Sequence, residues 1–336
     1  MFKRGNIISK IVGGVIFALL TILMPTSCDI YEGLDPCPRG VNLRFVFDYN
    51  MEYANAFPSK VDCYTLFIYD EQGNFLKSYS EEGDKLKDEN YRLQIDLPHG
   101  KYHFVTYGGM TCKKRSFSPV NDPTEGSKLS DLKVMMHHKD LTSDQLLHDF
   151  FYGKLDVTVE GEMYRDHTIK LMRNTNNIRV LLQHLDGEPI PMDQFKAEIT
   201  DDNTLFDVEN NLVSNGTITY FPWASGLTSS RDASRNVRDE EIKAGFAEFS
   251  TSRLCVQNKN RLIIRQANTN EVVLNIPLNQ YLLLLKSQRY EKMGSQEFLD
   301  RECDWSLIFF LDEGLKWINT QIIINGWTVR INDTDL

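Results

Sequence analysis

Val41, Leu43, Phe45, Phe47 and Tyr49 alternate with polar Asn42, Arg44 and Asp48, the two-residue period of a strand with one buried face. Residues 61–69 (VDCYTLFIY) predict a second strand, apolar on both faces. Asp70-Glu71-Gln72-Gly73-Asn74 then predicts a hairpin turn into Phe75 and Leu76. Tyr91, Leu93, Ile95 and Leu97 alternate with Arg92, Gln94 and Asp96; Pro98-His99-Gly100 punctuates, and residues 101–107 return. Short antiparallel strands at this spacing predict a sandwich.

Thr142 and Gln145 stand in capping-box positions ahead of Leu146, Leu147 and Phe150, which predicts a helix over 141–150. Strand signals resume at Leu155, Val157 and Val159, then at Ile169 and Leu171. The polar run 173–177 marks a boundary, after which residues 178–182 read as a first strand again. Further strands are expected over 196–200, 217–221, 247–256, 261–266, 271–276, 305–311, 317–324 and 327–331, with short helices over 279–286 and 296–303. A Ser/Gly/Arg/Asp-rich loop is expected over 222–238. The chain therefore reads as all-β, with two tandem sandwich domains and short helical insertions. Their expected spans are 37–174 and 175–336, each long enough for its own core.

The first residues do not belong to that pattern. Lys3, Arg4 and Lys10 precede an apolar run over 11–24, shorter than the roughly 20 residues a spanning helix needs. A basic start, a short apolar run and small residues (Thr26, Ser27) make a secretory signal peptide over 1–27. Cys28 follows at once, as in the lipobox of bacterial lipoproteins, although Pro25 stands where such boxes usually carry Leu. Acyl chains on Cys28 would hold the protein to a bilayer, each buried CH2 contributing about 0.8 kcal/mol. Asp29, Glu32 and Asp35 make residues 28–36 an acidic tether.

Composition narrows the partners. The 41% hydrophobic and 25% charged content is that of a globular protein and excludes a disordered tail, a fibrous repeat and a multi-span membrane protein. Lys and Arg total 37 against 47 Asp and Glu, a net charge of −10 that argues against nucleic acid as a partner. With Cys28 acylated, Cys37, Cys63, Cys112, Cys255 and Cys303 remain, an odd number that cannot all pair. A bridge among Cys37, Cys63 and Cys112 and buried free thiols are both open readings.

Candidate chemistry is sparse. His137, His138 and His148 follow no standard metal-ligand spacing and read as surface histidines. Asp201-Asp202-Asn203 and Asn332-Asp333 lack the twelve-residue calcium-loop pattern. Gly108-Gly109 is not followed by a phosphate-loop pattern, and no GxSxG, HExxH or Cys/His nucleophile arrangement occurs. The expectation is a protein that is not an enzyme, with no cofactor and no metal. Trp223, in the polar loop, is a candidate platform for a sugar, although most sandwich aromatics are core.

An ordered series of segments carries a resemblance. Cys37-Pro38-Arg39-Gly40 leads into the first strand; then come LFIYDEQG (66–73), GKYHFVTYG (100–108), DFFYG (149–153) and LMRNTNNIRV (171–180). Ile276-Pro277-Leu278, QEFLDRECDWSLIFFLD (296–312) and IIINGWTVRIN (322–332) complete it. With the lipobox-like leader, this series resembles the fimbrillin-A-associated anchor proteins, the FimB-like subunits of type V pili. The resemblance implies two transthyretin-like sandwiches and a lipoprotein on the outer membrane, exposed at the cell surface. It implies a minor subunit that fixes a fimbrium to the membrane, limits its length and joins stalk or other pilin subunits by strand exchange.

In such pili a protease cuts stalk subunits after a basic residue and removes an N-terminal strand; the next subunit then fills the groove. Arg39 is the candidate cut site. The strand over 43–49 would occupy the groove if uncut, and the segment 321–331 is a candidate donor, although its alternating Ile and Trp also read as core strands of its own domain. The alternative function is a tip adhesin or a surface glycan-binding lipoprotein using loops such as 222–238.

Overall fold

The computed structural model describes residues 39–184, 190–230, 242–284, 286, 290–324 and 327–332. The leader, Cys28, Cys37 and the acidic tether lie outside these residues, as do parts of the expected 222–238 loop and Asp333.

The first half runs through β1 (Gly40–Val46), α1 (Phe57–Lys60), β2 (Cys63–Asp70), β3 (Phe75–Glu82), β4 (Leu93–Asp96) and β5 (Gly100–Gly108). It continues with β6 (Phe117–Pro119), β7 (Val134–Met136), β8 (Thr142–Ser143), β9 (Phe151–Val159), β10 (Tyr164–Lys170) and β11 (Met172–Arg173). The second half opens with β12 (Thr175–His184), β13 (Phe195–Asp201), β14 (Leu205–Phe206), β15 (Leu212–Val213), β16 (Ile218–Tyr220), β17 (Ala224–Ser230) and β18 (Ile242–Ser252). There follow β19 (Arg261–Gln266), β20 (Val272–Pro277), α2 (Leu278–Leu283), α3 (Ser295–Arg301), β21 (Asp304–Leu311), β22 (Trp317–Ile324) and β23 (Trp327–Asn332).

These strands form sheets of order β10-β1-β4 and β11-β9-β5-β2-β3 in the first half, and β17-β18-β12-β21-β22-β23 in the second. Two further sheets, β20-β19-β13-β16-β8 and β15-β14-β7-β6, draw strands from both. The β-sandwich expected from the sequence is the architecture observed.

The middle sheet of the first half explains its unusual sequence. Tyr64, Leu66 and Ile68 of β2 pack in one core with Val41, Leu43 and Phe45, while Phe67 and Tyr69 pack in a second core that continues into the other half. β5 divides likewise, Phe104 joining the first core and Val105 and Tyr107 the second. A sheet covered on both faces needs a continuous apolar run, and residues 61–69 supply one.

Two expectations are corrected. Residues 141–150 are not a helix. Asp140 and Leu141 take left-handed φ values of 51° and 54°, and Thr142–Ser143 become a short strand parallel to β16. The N–H groups beyond are claimed from outside: Leu147 N–H donates to Ser250 Oγ (3.1 Å), His148 N–H to Ser116 Oγ (2.8 Å) and Phe150 N–H to Thr175 Oγ1 (3.4 Å). Tertiary partners thus displace the local i→i−4 pattern. Nor is 222–238 wholly a loop, because β17 pairs antiparallel with β18 from Ala224↔Glu248 to Ser230↔Ile242.

Cys63 and Cys112 form a disulfide, which selects one of the open cysteine readings. Cys255 and Cys303 are buried free thiols, both pushed up to about 12 by burial and so unsuited to nucleophilic chemistry.

Candidate functional site

The strand that a groove-and-donor mechanism would exchange is β1. It pairs in parallel with β10 from Gly40↔Tyr164 to Val46↔Lys170, and antiparallel with β4 from Gly40↔Asp96 to Leu43↔Leu93. Val41 and Leu43 are wholly buried and Phe45 nearly so. Phe45 stacks on Phe57, with ring centres 5.6 Å apart, and lies 4.5 Å from the Tyr64 ring. Burying three such side chains contributes roughly 5–9 kcal/mol, an upper estimate because unfolded chains are partly compact. That is comparable with the whole stability of a typical domain.

The entry to β1 is fixed at Arg39 and Gly40. Leu97 N–H donates to the Arg39 carbonyl (3.2 Å), and the Arg39 guanidinium donates to Glu162 (3.3 Å). Gly40 sits at φ 151°, where a Cβ would lie 1.9 Å from the Ile95 carbonyl oxygen. Only glycine permits that approach. The Arg39–Gly40 peptide is therefore the first link of a paired strand, and a protease must draw β1 from the sheet to reach it.

The other chain end is built differently. β22 pairs antiparallel with β21 and β23, and β23 ends its sheet with β22 as its one strand partner among the described residues. The candidate donor segment 321–331 is thus paired within the chain's own sheet and presents one backbone edge beyond it. Such an edge is a template for another strand.

The remaining candidates are placed as follows. Cys28 lies outside the described residues. His148 Nε2 meets Asp62 (3.1 Å), His137 Nε2 meets Ser118 Oγ (3.0 Å), and His138 Nδ1 accepts from Leu141 N–H (3.3 Å), so the three histidines make separate contacts. Asp62 lies close to Cys63 and Cys112, whose sulfurs are committed to the disulfide and so are not thiolate ligands. The Asp201 carboxylate accepts from Asn258 (2.7 Å) and Asn260 (3.3 Å), and burial raises its pKa to about 6. Trp223 stands 38% exposed beside β17, its backbone N–H donating to the Glu248 carbonyl (2.9 Å).

Sequence reasoning missed a polar cleft of about 640 Å³ that holds Lys60, Lys114, Arg115, His137, Gln145 and His148 together. Those residues come from separate segments, so spacing carried no signal. Within its wall the buried Arg173 pairs with Asp149 (2.7 Å) and Asp304 (3.3 Å).

Residues 34–333 match the family described as fimbrillin-A associated anchor proteins Mfa1 and Mfa2. A candidate adhesin from Bacteroides thetaiotaomicron is 49% identical, with a TM-score of 0.82 over 89% of this chain and 100% of that one. A candidate polysaccharide-binding protein from the same organism is 28% identical, with a TM-score of 0.75 over 88% and 99%. The fimbrial anchor protein Mfa2 from Porphyromonas gingivalis, 16% identical, shares the fold with a TM-score of 0.64 over 88% and 99%. No curated protein matches the sequence.

Proposed function

The chain belongs to the fimbrillin-A associated anchor protein family, and from that membership we propose that it is the lipid-anchored subunit fixing a fimbrium to the outer membrane. A fimbria-associated role, as anchor or adhesin, follows from the family and its neighbours; the finer assignment is our own reading.

The observation that carries it is the seating of β1. An anchor must keep the link between its lipid and its fold, so the strand nearest the lipid has to stay in its slot. β1 is paired on both sides, buried, and entered through a glycine that the Ile95 carbonyl admits and a larger residue would foul. In this reading Cys28 carries the acyl chains, residues 28–36 lift the fold off the bilayer, and Arg39 stays uncut. A stalk or other pilin subunit then docks by strand exchange, for which the edge of β23 that no described strand covers is the favoured place, and an occupied β1 slot ends growth at this subunit and so limits fibre length. Residues 37–174 and 175–336 act as two modules that share one core, the change of sheet between β11 and β12 favouring the division.

The test is fractionation of cells carrying wild-type protein or Cys28→Ala, with palmitate labelling. Loss of label and release of fimbriae into the medium support the reading; an unlabelled wild type or unchanged attachment refutes it.

A second reading, a tip adhesin, is favoured by the 49% identical neighbour. Immunogold placement at the free fibre tip instead of the cell surface would select it.

A further inference from the structure

The polar cleft shares no residue with the β1 slot or the β23 edge. Its walls come from the end of α1 (Lys60), the loop after β5 (Lys114, Arg115), the turn after β7 (His137) and the irregular segment before β9 (Gln145, His148). The protein carries a net charge of −10, so a surface taken at random should be acidic. This one is not. The carboxylates nearby are already engaged, Asp149 and Asp304 by Arg173 and Asp62 by His148. Lys60, Lys114 and Arg115 line the cleft with no ion pair of their own among the described residues. Three cations gathered in a concave site repel one another and focus a positive potential into it.

The loop that carries Lys114 and Arg115 is tied on both sides. The Cys63–Cys112 disulfide clamps the chain two residues before Lys114. Beyond Arg115, His148 N–H donates to Ser116 Oγ (2.8 Å), and His137 N–H donates to the Ser116 carbonyl (2.8 Å). Binding to a loop tied at both ends spends less entropy on ordering it. Burial, with Arg115 beside it, keeps the His137 pKa below its usual value, which favours the neutral ring, and its Nε2 is held by Ser118 Oγ (3.0 Å). Gln145, Asn177 and Ser116 add further polar groups along the lining.

We propose that this cleft binds an acidic sugar chain, its carboxylate or sulfate groups meeting Lys60, Lys114 and Arg115 and its hydroxyls meeting Gln145 and Asn177. The volume lies in the range of about 300–1,000 Å³ typical of small-ligand sites, which suits a few sugar units. An apolar peptide is a poor occupant, because Leu146 is the one exposed large apolar side chain in the lining and interface cores need several. Nucleic acid is disfavoured by the acidic body around the cleft.

The test uses full-length protein in detergent on surfaces carrying polygalacturonate, dextran sulfate, neutral dextran or polyglutamate. The proposal expects binding to polygalacturonate or dextran sulfate, whichever bears the preferred acid group, that weakens steeply with salt and exceeds binding to dextran and polyglutamate at least tenfold. The Lys114→Ala/Arg115→Ala double variant loses at least tenfold, while Lys259→Ala, which removes an exposed charge elsewhere, changes affinity less than twofold. Near-ultraviolet circular dichroism confirms that both variants are folded. Equal binding to polyglutamate would assign the cleft to acidic peptides and overturn the proposal. Equal loss in Lys259→Ala, or no binding to either acidic sugar at low salt, would overturn it as well.

Discussion

β1 and β23, the first and last described strands, are both short and both alternate in sequence, yet they occupy opposite structural positions. β1 lies between two strands, and β23 has one strand partner among the described residues. A strand held on both sides, with its apolar face buried, is an inseparable part of its sandwich. A strand held on one side offers unpaired N–H and C=O groups to a newcomer. The contrast is one of backbone pairing, and the proposed anchoring role rests on it.

Deleting residues 40–46 should break the contrast most severely. The buried β1 side chains account for as much free energy as a typical domain possesses, so we expect no folded N-terminal sandwich by circular dichroism. A synthetic 40–46 peptide added in trans should restore protection of the β2 and β5 amides to hydrogen exchange.

Gly40→Val is next. Its branched side chain would be driven into the Ile95 carbonyl, a conflict that lies between two backbones and cannot be relieved by a rotamer change. Thermal melts should show a loss of about 3 kcal/mol or more. Leu43→Ala should cost about 2–5 kcal/mol through the cavity left in the core. Deleting 327–332 should instead leave the melting temperature within a few degrees of wild type and abolish co-purification with fimbriae. A collapse of the fold in that variant would erase the distinction between the two ends.

The halves also differ in pH response, the smallest of these effects. Burial raises Asp201 to about 6 and Glu302 to about 7, and both belong to the second half. In the first half the resolved carboxylate shifts, at Asp70 and Asp84, are downward; hydrogen bonds from Asn74 and Lys87 respectively are the main causes. A raised carboxyl keeps its proton longer in the folded state, so stability falls as pH rises from about 4 through the folded pKa, by at most about 1.4 kcal/mol per pH unit for each group, and levels off above pH 7. Hydrogen exchange between pH 4.5 and 7.5, corrected for intrinsic rates, should therefore show the second half losing protection relative to the first. Asp201→Asn should flatten part of that trend.

Legibility in the sequence followed how far each feature depended on its neighbours. Residues 261–266 and 317–324 appear as strands where the two-residue period placed them, because alternation is a local signal. β6, β7, β14 and β15 have two or three residues each, too few to show a period. Residues 141–150 carry a helical spacing that Ser250, Ser116 and Thr175 override from distant positions. The cysteine spacing left a bridge among Cys37, Cys63 and Cys112 and buried free thiols both open, and the pairing of Cys63 with Cys112 depends on how the fold brings β2 and the loop after β5 together. For the candidate site, the strand β1 was legible in 41–49, whereas the reason its entry is fixed, a carbonyl facing Gly40, lies in a strand more than fifty residues away.

The central claim concerns the first residues of the mature chain, and intact mass with N-terminal analysis of protein taken from the cell surface tests it most directly. The account predicts a polypeptide that begins at an acylated Cys28 and runs uninterrupted through Arg39. A chain that carries no acyl mass, or that begins at Gly40, would contradict it.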